Sequence, residues 1–213
     1  MKDIEVKIPC EDFTLEGKWF CPEGDGPFPV AVICHPHPLD GGNFRNNVVK
    51  AVYWYLAGHS IAALRFNFRG VGQSGGFYGG GSTEVKDLQA AIDFALYQQK
   101  VDPARLGLVG YSFGGGVSVR AAVVDNRIKA LALISPQLDE ETWKLLRKNR
   151  NPLLFITGSE DQMFPLQQYE ANLKTVPEPK QFQVVKGADH FWTGHEAEMA
   201  VIVRRFFLEN LKK

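Results

Sequence analysis

Six short apolar runs, rich in β-branched residues and separated by helical patterns, leave this chain few folds to adopt. They are PVAVIC at 29–34, SIAALRF at 60–66, RLGLVG at 105–110, IKALALIS at 128–135, PLLFITG at 152–158 and KQFQVV at 180–185. Runs that are apolar on both faces are the pattern of parallel strands buried between two layers. Helical patterns lie at 48–57, 83–99, 112–124, 139–149, 165–174 and 195–211. In the second of these Val85, Leu88, Ile92, Ala95 and Leu96 make an apolar stripe, and Thr83 stands where a capping residue is expected. Alternation of this kind with right-handed crossovers predicts an α/β fold, an open and mostly parallel sheet with helices on both faces. Two earlier runs, IEVKI at 4–8 and FTLEGKWF at 13–20, alternate polar and apolar residues, which predicts an antiparallel N-terminal edge. No repeat or low-complexity tract interrupts the order, so one domain is expected over residues 1–213.

Charge and cysteine usage narrow the partners. Lys and Arg number 24 against 24 Asp and Glu, so no net field draws in phosphate backbones or anionic lipid. A small-molecule partner is therefore expected, with neither nucleic acid nor membrane. Cys10, Cys21 and Cys34 form no C-x-x-C pair and no even framework, the usage of a reducing compartment, and are expected as free thiols. The opening MKDIEVKIPCEDF lacks the apolar stretch of a secretory leader, and no 18-residue apolar run occurs. A soluble cytoplasmic protein is expected, monomeric or homodimeric.

Ligands of open α/β sheets bind at the carboxyl ends of the strands, so the loops there are the place to look for chemistry. After the run ending at Val109 comes Gly110-Tyr111-Ser112-Phe113-Gly114, a G-x-S-x-G pattern between strand and helix. A serine on so tight a turn needs glycine on both flanks, because side chains there would strike the backbone. Its hydroxyl is then exposed at a helix N-terminus. An ordinary helix cap would account for the hydroxyl but not for both glycines. Gly72-Gln73-Ser74-Gly75-Gly76 fits the same expression but has no strand directly before it and no helix directly after, so Ser112 is the candidate nucleophile.

Serine needs a base to take its proton and an acid to hold that base in the right tautomer. His190 lies just after the last apolar run and before the C-terminal helix, in a strand-end loop, and is the candidate base. His195 reads as a solvated first-turn residue and His59 as a helix-end partner. Asp161 and its neighbour Glu160 both follow PLLFITG at a strand end, and both are candidates for the acid. The chain order Ser, Asp, His is that of α/β-hydrolases.

The tetrahedral intermediate also needs hydrogen-bond donors for its oxyanion. One is expected from the main-chain N–H of Phe113 and the other from HPHPLDGGN at 35–43, where Pro36 and Pro38 have no N–H to give. That leaves His37 or Leu39, with His37 favoured. His35 and His37 stand at i, i+2 but lack further ligands at metal spacing, so no metal site is expected. Gly70 to Gly75 matches G-x-G-x-x-G, yet the next helical pattern starts only near Thr83, which is wrong for a dinucleotide fingerprint. No cofactor is expected.

At these residues the chain resembles the α/β-hydrolase superfamily over essentially its whole length. More narrowly it is similar to small bacterial serine hydrolases that carry HPHP with GG, RFNFRGVGxSxG, GYSFGG and a GADHFF-like loop. Here these read HPHPLDGG from His35, RFNFRGVGQSGG from Arg65, GYSFGG from Gly110 and GADHFW from Gly187. The resemblance implies Ser112 as nucleophile, Asp161 as acid, His190 as base, and backbone donors at Phe113 and in the HPHP loop. Arg69 lies in the motif and reads as a structural ion-pair partner and not as a catalytic group. Larger relatives insert a lid after the sixth strand, whereas residues 135–151 leave room for one crossover helix. An open, shallow cleft is expected, with substrate-binding positions at Leu39, Tyr111, Met163, Phe164 and Phe191. Phe77, Tyr78, Phe113, Trp143 and Trp192 are further wall candidates. An apolar rim with no basic anchor favours a small neutral acyl ester over a charged thioester. Peptidase, amidase or thioesterase action with the same three residues, and a non-catalytic binder, are the alternatives. Serine in the turn argues against a dienelactone-type hydrolase, which would use cysteine there, and against epoxide or haloalkane hydrolases, which would use aspartate.

Overall fold

A computed structural model describes residues 2–211. Eight strands form one sheet: β1 (Ile4–Cys10), β2 (Phe13–Phe20), β3 (Phe28–Cys34), β4 (Ala62–Phe66), β5 (Val101–Tyr111), β6 (Ile128–Ile134), β7 (Leu153–Gly158) and β8 (Lys180–Val185). Among the described residues six α-helices cover it: α1 (Asn47–Ala57), α2 (Glu84–Leu96), α3 (Phe113–Ala122), α4 (Glu140–Leu146), α5 (Leu166–Leu173) and α6 (Glu196–Asn210). The strand order is β1-β2-β4-β3-β5-β6-β7-β8. β1 with β2 and β2 with β4 run antiparallel, and every other pair is parallel. This is an α/β-hydrolase sheet with an antiparallel N-terminal edge.

The period of two assigns alternate residues of each strand to opposite cores. Val30, Val32 and Cys34 of β3 belong to the core that also takes in side chains of α2, α3, α4 and α5, while Ala31 and Ile33 belong to the one that takes in side chains of α1 and α6. The same alternation in β6 and β7 sends Leu131, Leu133, Leu153 and Phe155 to the first face and Ala130, Ala132, Leu154 and Ile156 to the second. Strands buried on both sides thus explain the continuous apolar runs. Only α4 fills the connection between β6 and β7, so no lid covers the carboxyl ends of the strands.

Two local expectations need correction. β5 begins at Val101, ahead of RLGLVG, because Val101 pairs with Phe28 before a register shift. Thr83 makes no side-chain capping bond to α2. The buried Glu84 carboxylate instead accepts the N–H groups of Gly79 at 2.7 Å and Gly81 at 2.6 Å, tying the glycine-rich loop to the helix start.

Among the described residues no helix is long and apolar enough to cross a membrane. β3 is followed by β4 on one side and β5 on the other, so the winding reverses between β3 and β5. Such a reversal opens a crevice at the strands' carboxyl ends. The HPHP loop leaves β3 there, and the Ser112 turn leaves β5 there.

Candidate active site

Ser112 sits between β5 and α3 with φ 52° and ψ −118°, a conformation costing about 1–3 kcal/mol for a residue with a side chain. The surroundings hold it there. Its N–H donates to Ile134 O at 3.0 Å, and its carbonyl accepts from Gly115 N–H at 2.9 Å and Gln137 N–H at 2.8 Å. A Cβ on Gly110 would lie 2.5 Å from Gly114 O, and one on Gly114 would lie 2.7 Å from the carbonyl oxygens of Cys34 and His35. Both flanking glycines are therefore demanded by close backbone approach. The hydroxyl makes no capping bond to α3 and is turned elsewhere.

It is turned to His190, whose Nε2 lies 3.1 Å from Ser112 Oγ. His190 Nδ1 lies 2.9 Å from Asp161 Oδ2, and all three residues are buried. An ionised carboxylate can only accept, so Nδ1 carries the proton and Nε2 is left to accept from the serine hydroxyl. Asp161 Oδ1 accepts the N–H groups of Met163 and Phe164, each at 3.1 Å. Burial alone pushes the Asp161 carboxyl up, but hydrogen bonds from His190, Ser135 and Phe164 N–H, with the charge of His190, outweigh it and hold the group below the usual range. Glu160 is exposed and takes no part in this line.

The base loop is fixed from behind. Tyr111 donates its hydroxyl to His190 O at 2.8 Å and is itself buried, so it supports the loop and is not the pocket wall expected of it. Trp192 is likewise no wall: it is fully buried, has φ 61°, and donates Nε1–H to Ser135 Oγ at 3.3 Å. Trp143 stacks on Phe155 in the core. Phe164 and Phe191 bring their rings within 5.3 and 5.7 Å of the His190 ring. Leu39, Phe77, Met163 and Phe191 are exposed side chains on the loops around the site. Trp143 on α4 and Trp192 in the base loop both turn inward; position along the chain does not say which way a side chain turns.

In the HPHP loop Leu39 N–H donates to Nδ1 of His37 at 3.3 Å. The His37 N–H has no acceptor among the described residues, which leaves it as the candidate oxyanion donor beside Phe113. The His37 ring lies 5.0 Å from the Phe113 ring, so the loop and the serine turn adjoin. His35 is buried; its Nδ1 meets Pro36 O at 2.6 Å and its Nε2 accepts Phe68 N–H at 3.1 Å. Both ring nitrogens are thereby spent on clamping the β3 and β4 loops together, and burial depresses its pKa to about 4.

The remaining motif residues are structural. Ser74 donates its hydroxyl to Asn67 O and accepts Glu16 N–H. Arg69 pairs with buried Asp87 at 2.7 Å and with Glu11 at 3.0 Å. His195 immediately precedes α6, and His59 accepts from Arg204 at 2.8 Å in an exposed contact. One element escaped the loop-centred sequence reading. Phe113, Gly116, Val117 and Arg120, at i, i+3, i+4 and i+7, turn one face of α3 toward a slot beside the site. A helical spacing counted from Phe113, the residue after the candidate nucleophile, is the signal for it.

The model of the dienelactone hydrolase family matches residues 80–203, more than half of the chain, including the serine turn and both later loops. The chain belongs to the dienelactone hydrolase family. The expectation that serine argues against that family is thus corrected. Serine and cysteine differ by one atom, and the turn, the glycines and the sheet around them suit either. This family member is similar over nearly its whole length to two solved structures. One is an α/β serine hydrolase homologue from Coxiella burnetii, 31% identical, TM-score 0.86, covering 96% of this chain and 97% of that one. The other is an α/β serine hydrolase without a lid from Xanthomonas campestris, 26% identical, TM-score 0.86, covering 100% and 97%. An uncharacterised protein of Rickettsia prowazekii is 28% identical over 188 residues, 84% of this chain and 79% of the relative. The chain is a hydrolase of the α/β type.

Proposed function

We propose that this dienelactone hydrolase family member is a serine esterase of the carboxylesterase kind, cleaving small acyl esters through an acyl-enzyme. The observation that carries the reading is the unbroken line from Ser112 Oγ to His190 Nε2 at 3.1 Å and from His190 Nδ1 to Asp161 at 2.9 Å. As Oγ bonds to the ester carbon, its proton passes to Nε2 and the carbonyl electron pair moves onto oxygen. The N–H groups of Phe113 and His37 receive that oxyanion, and Asp161 stabilises the imidazolium. Collapse breaks the bond to the alcohol, which takes the proton from Nε2. Water then releases the acyl group by the same route, deprotonated by the same imidazole.

Amide and thioester bonds would draw on the same line, and the leaving group is what a substrate panel decides. Turnover of short and long p-nitrophenyl esters beside peptide and CoA substrates is expected to favour the esters. Ser112→Ala is expected to remove ester turnover, by about a millionfold in kcat for a fully engaged nucleophile, and to remove labelling by a fluorophosphonate probe. Full activity in that variant would overturn the assignment, and a wild-type serine inert to the probe would mark a binder without catalysis.

A further inference from the structure

A slot of about 130 Å³ lies beside the serine turn, bounded by His37, Tyr78, Phe113, Val117, Arg120 and Gln137. Its walls include His37 and Phe113, the residues whose main chains carry the candidate oxyanion donors, and none of them comes from the loops carrying Asp161 and His190. The remaining boundary follows α3 from Phe113 to Arg120, a rise of about 10 Å.

Stereochemistry then gives the slot its occupant. Around the tetrahedral carbon one bond goes to Ser112 Oγ and one to the oxyanion between the donors. The leaving alcohol must stand within reach of His190 Nε2, which protonates it. The acyl chain has the one direction left, away from the imidazole. Building on the esterase reading, we infer that this slot is the acyl pocket and that its far end selects a short acyl group with an uncharged oxygen at its tip.

The far end supplies the reason. Arg120 reaches Asp139 at 2.9 Å and Glu141 at 2.8 Å, with its own side chain 18% exposed. Two carboxylates around one guanidinium leave the cluster net negative, which opposes an acyl group ending in a carboxylate. A guanidinium has five N–H donors, and an uncharged carbonyl or hydroxyl oxygen can accept from those the carboxylates leave over. Gln137 and the Tyr78 hydroxyl, which meets His37 Nε2 at 3.1 Å, add polar wall. A purely aliphatic chain gains none of these contacts, and a long one meets the ion pair.

Five p-nitrophenyl esters that differ only in the acyl group test this: acetate, pentanoate, 4-oxopentanoate, hemisuccinate and octanoate. The ratio of kcat/KM between two substrates in one preparation is the readout, because a loss of folded protein cancels from it. The 4-oxopentanoate is expected about tenfold above pentanoate and hemisuccinate, the factor one charge-assisted hydrogen bond provides, with octanoate lowest. Arg120→Leu is expected to bring the ratio of 4-oxopentanoate to pentanoate to about one. Gln137→Trp, on an exposed wall position, is expected to lower pentanoate relative to acetate about tenfold. Ratios that stay at wild-type values in both variants, or a change confined to a series of acetates differing in the alcohol, would overturn the pocket assignment. Fluorophosphonate labelling of Ser112 separates the two readings: a labelled serine with unmoved ratios sinks only the pocket, and an unlabelled serine sinks the esterase reading beneath it.

Discussion

Asp161 is the residue on which the site's polarity depends. Two backbone N–H groups and the His190 ring converge on a buried carboxyl, and their combined effect keeps it charged despite burial. Asp161→Asn preserves the shape but offers an amide donor to Nδ1, which reverses the imidazole tautomer. It is expected to lower kcat about ten-thousandfold on p-nitrophenyl acetate with little change in melting temperature. A drop of less than tenfold would show that His190 keeps its tautomer without that carboxylate. His35 acts on stability instead. Its folded pKa of about 4 lies below the ordinary value of about 6.5 that it regains on unfolding. Between these values the unfolded chain binds the extra proton, so stability is full above pH 6.5 and declines as pH falls toward 4, by about 3 kcal/mol in all. Urea midpoints measured from pH 7 to 4.5 are expected to show that decline, and His35→Gln is expected to flatten it. An equally steep decline in the variant would locate the titration elsewhere.

At the scale of elements, the loop between β4 and α2 shows how a helix start is held when its expected cap does nothing. Thr83 only approaches Gly79 O at 3.5 Å, while the wholly buried Glu84 receives two backbone donors. Thr83→Ala is expected to stay within about 0.5 kcal/mol of wild type. Glu84→Ala orphans two N–H groups and is expected to cost about 2–3 kcal/mol. Paired denaturation curves compare them, and equal costs would return the capping role to Thr83. The same loop carries Tyr78, Gly80 and Gly81 on the slot's wall, so Glu84→Ala is also expected to blur acyl selectivity. α3 holds the nucleophile at its N-terminus and lines the slot with its side, which makes it the element shared by chemistry and selection.

In the whole molecule the central strands β3, β5 and β6 are paired on both edges and covered on both faces, while β1 and β8 each have one open edge. β8 is only half-buried over most of its length. Native-state hydrogen exchange is therefore expected to leave β3, β5 and β6 protected at least a hundredfold longer than β1 and β8; uniform protection would argue against that gradient. The Ser112 turn follows β5 at the winding reversal, which puts the strained residue at the end of one of these central strands. Much of this was legible beforehand, because strand period, helix stripe and the glycines around Ser112 are properties of neighbours along the chain. Strands, helices, their order and the three loops bearing Ser112, Asp161 and His190 follow from residues a few positions apart. Only the folded chain decided that Asp161 rather than Glu160 meets His190, and that the Leu39 N–H is spent while that of His37 is free. The inward turn of Tyr111, Trp143 and Trp192, and the slot that α3 lines, were decided there too. Each of these depends on which side chain faces which across the sheet, between segments dozens of residues apart, and no local pattern encodes that meeting.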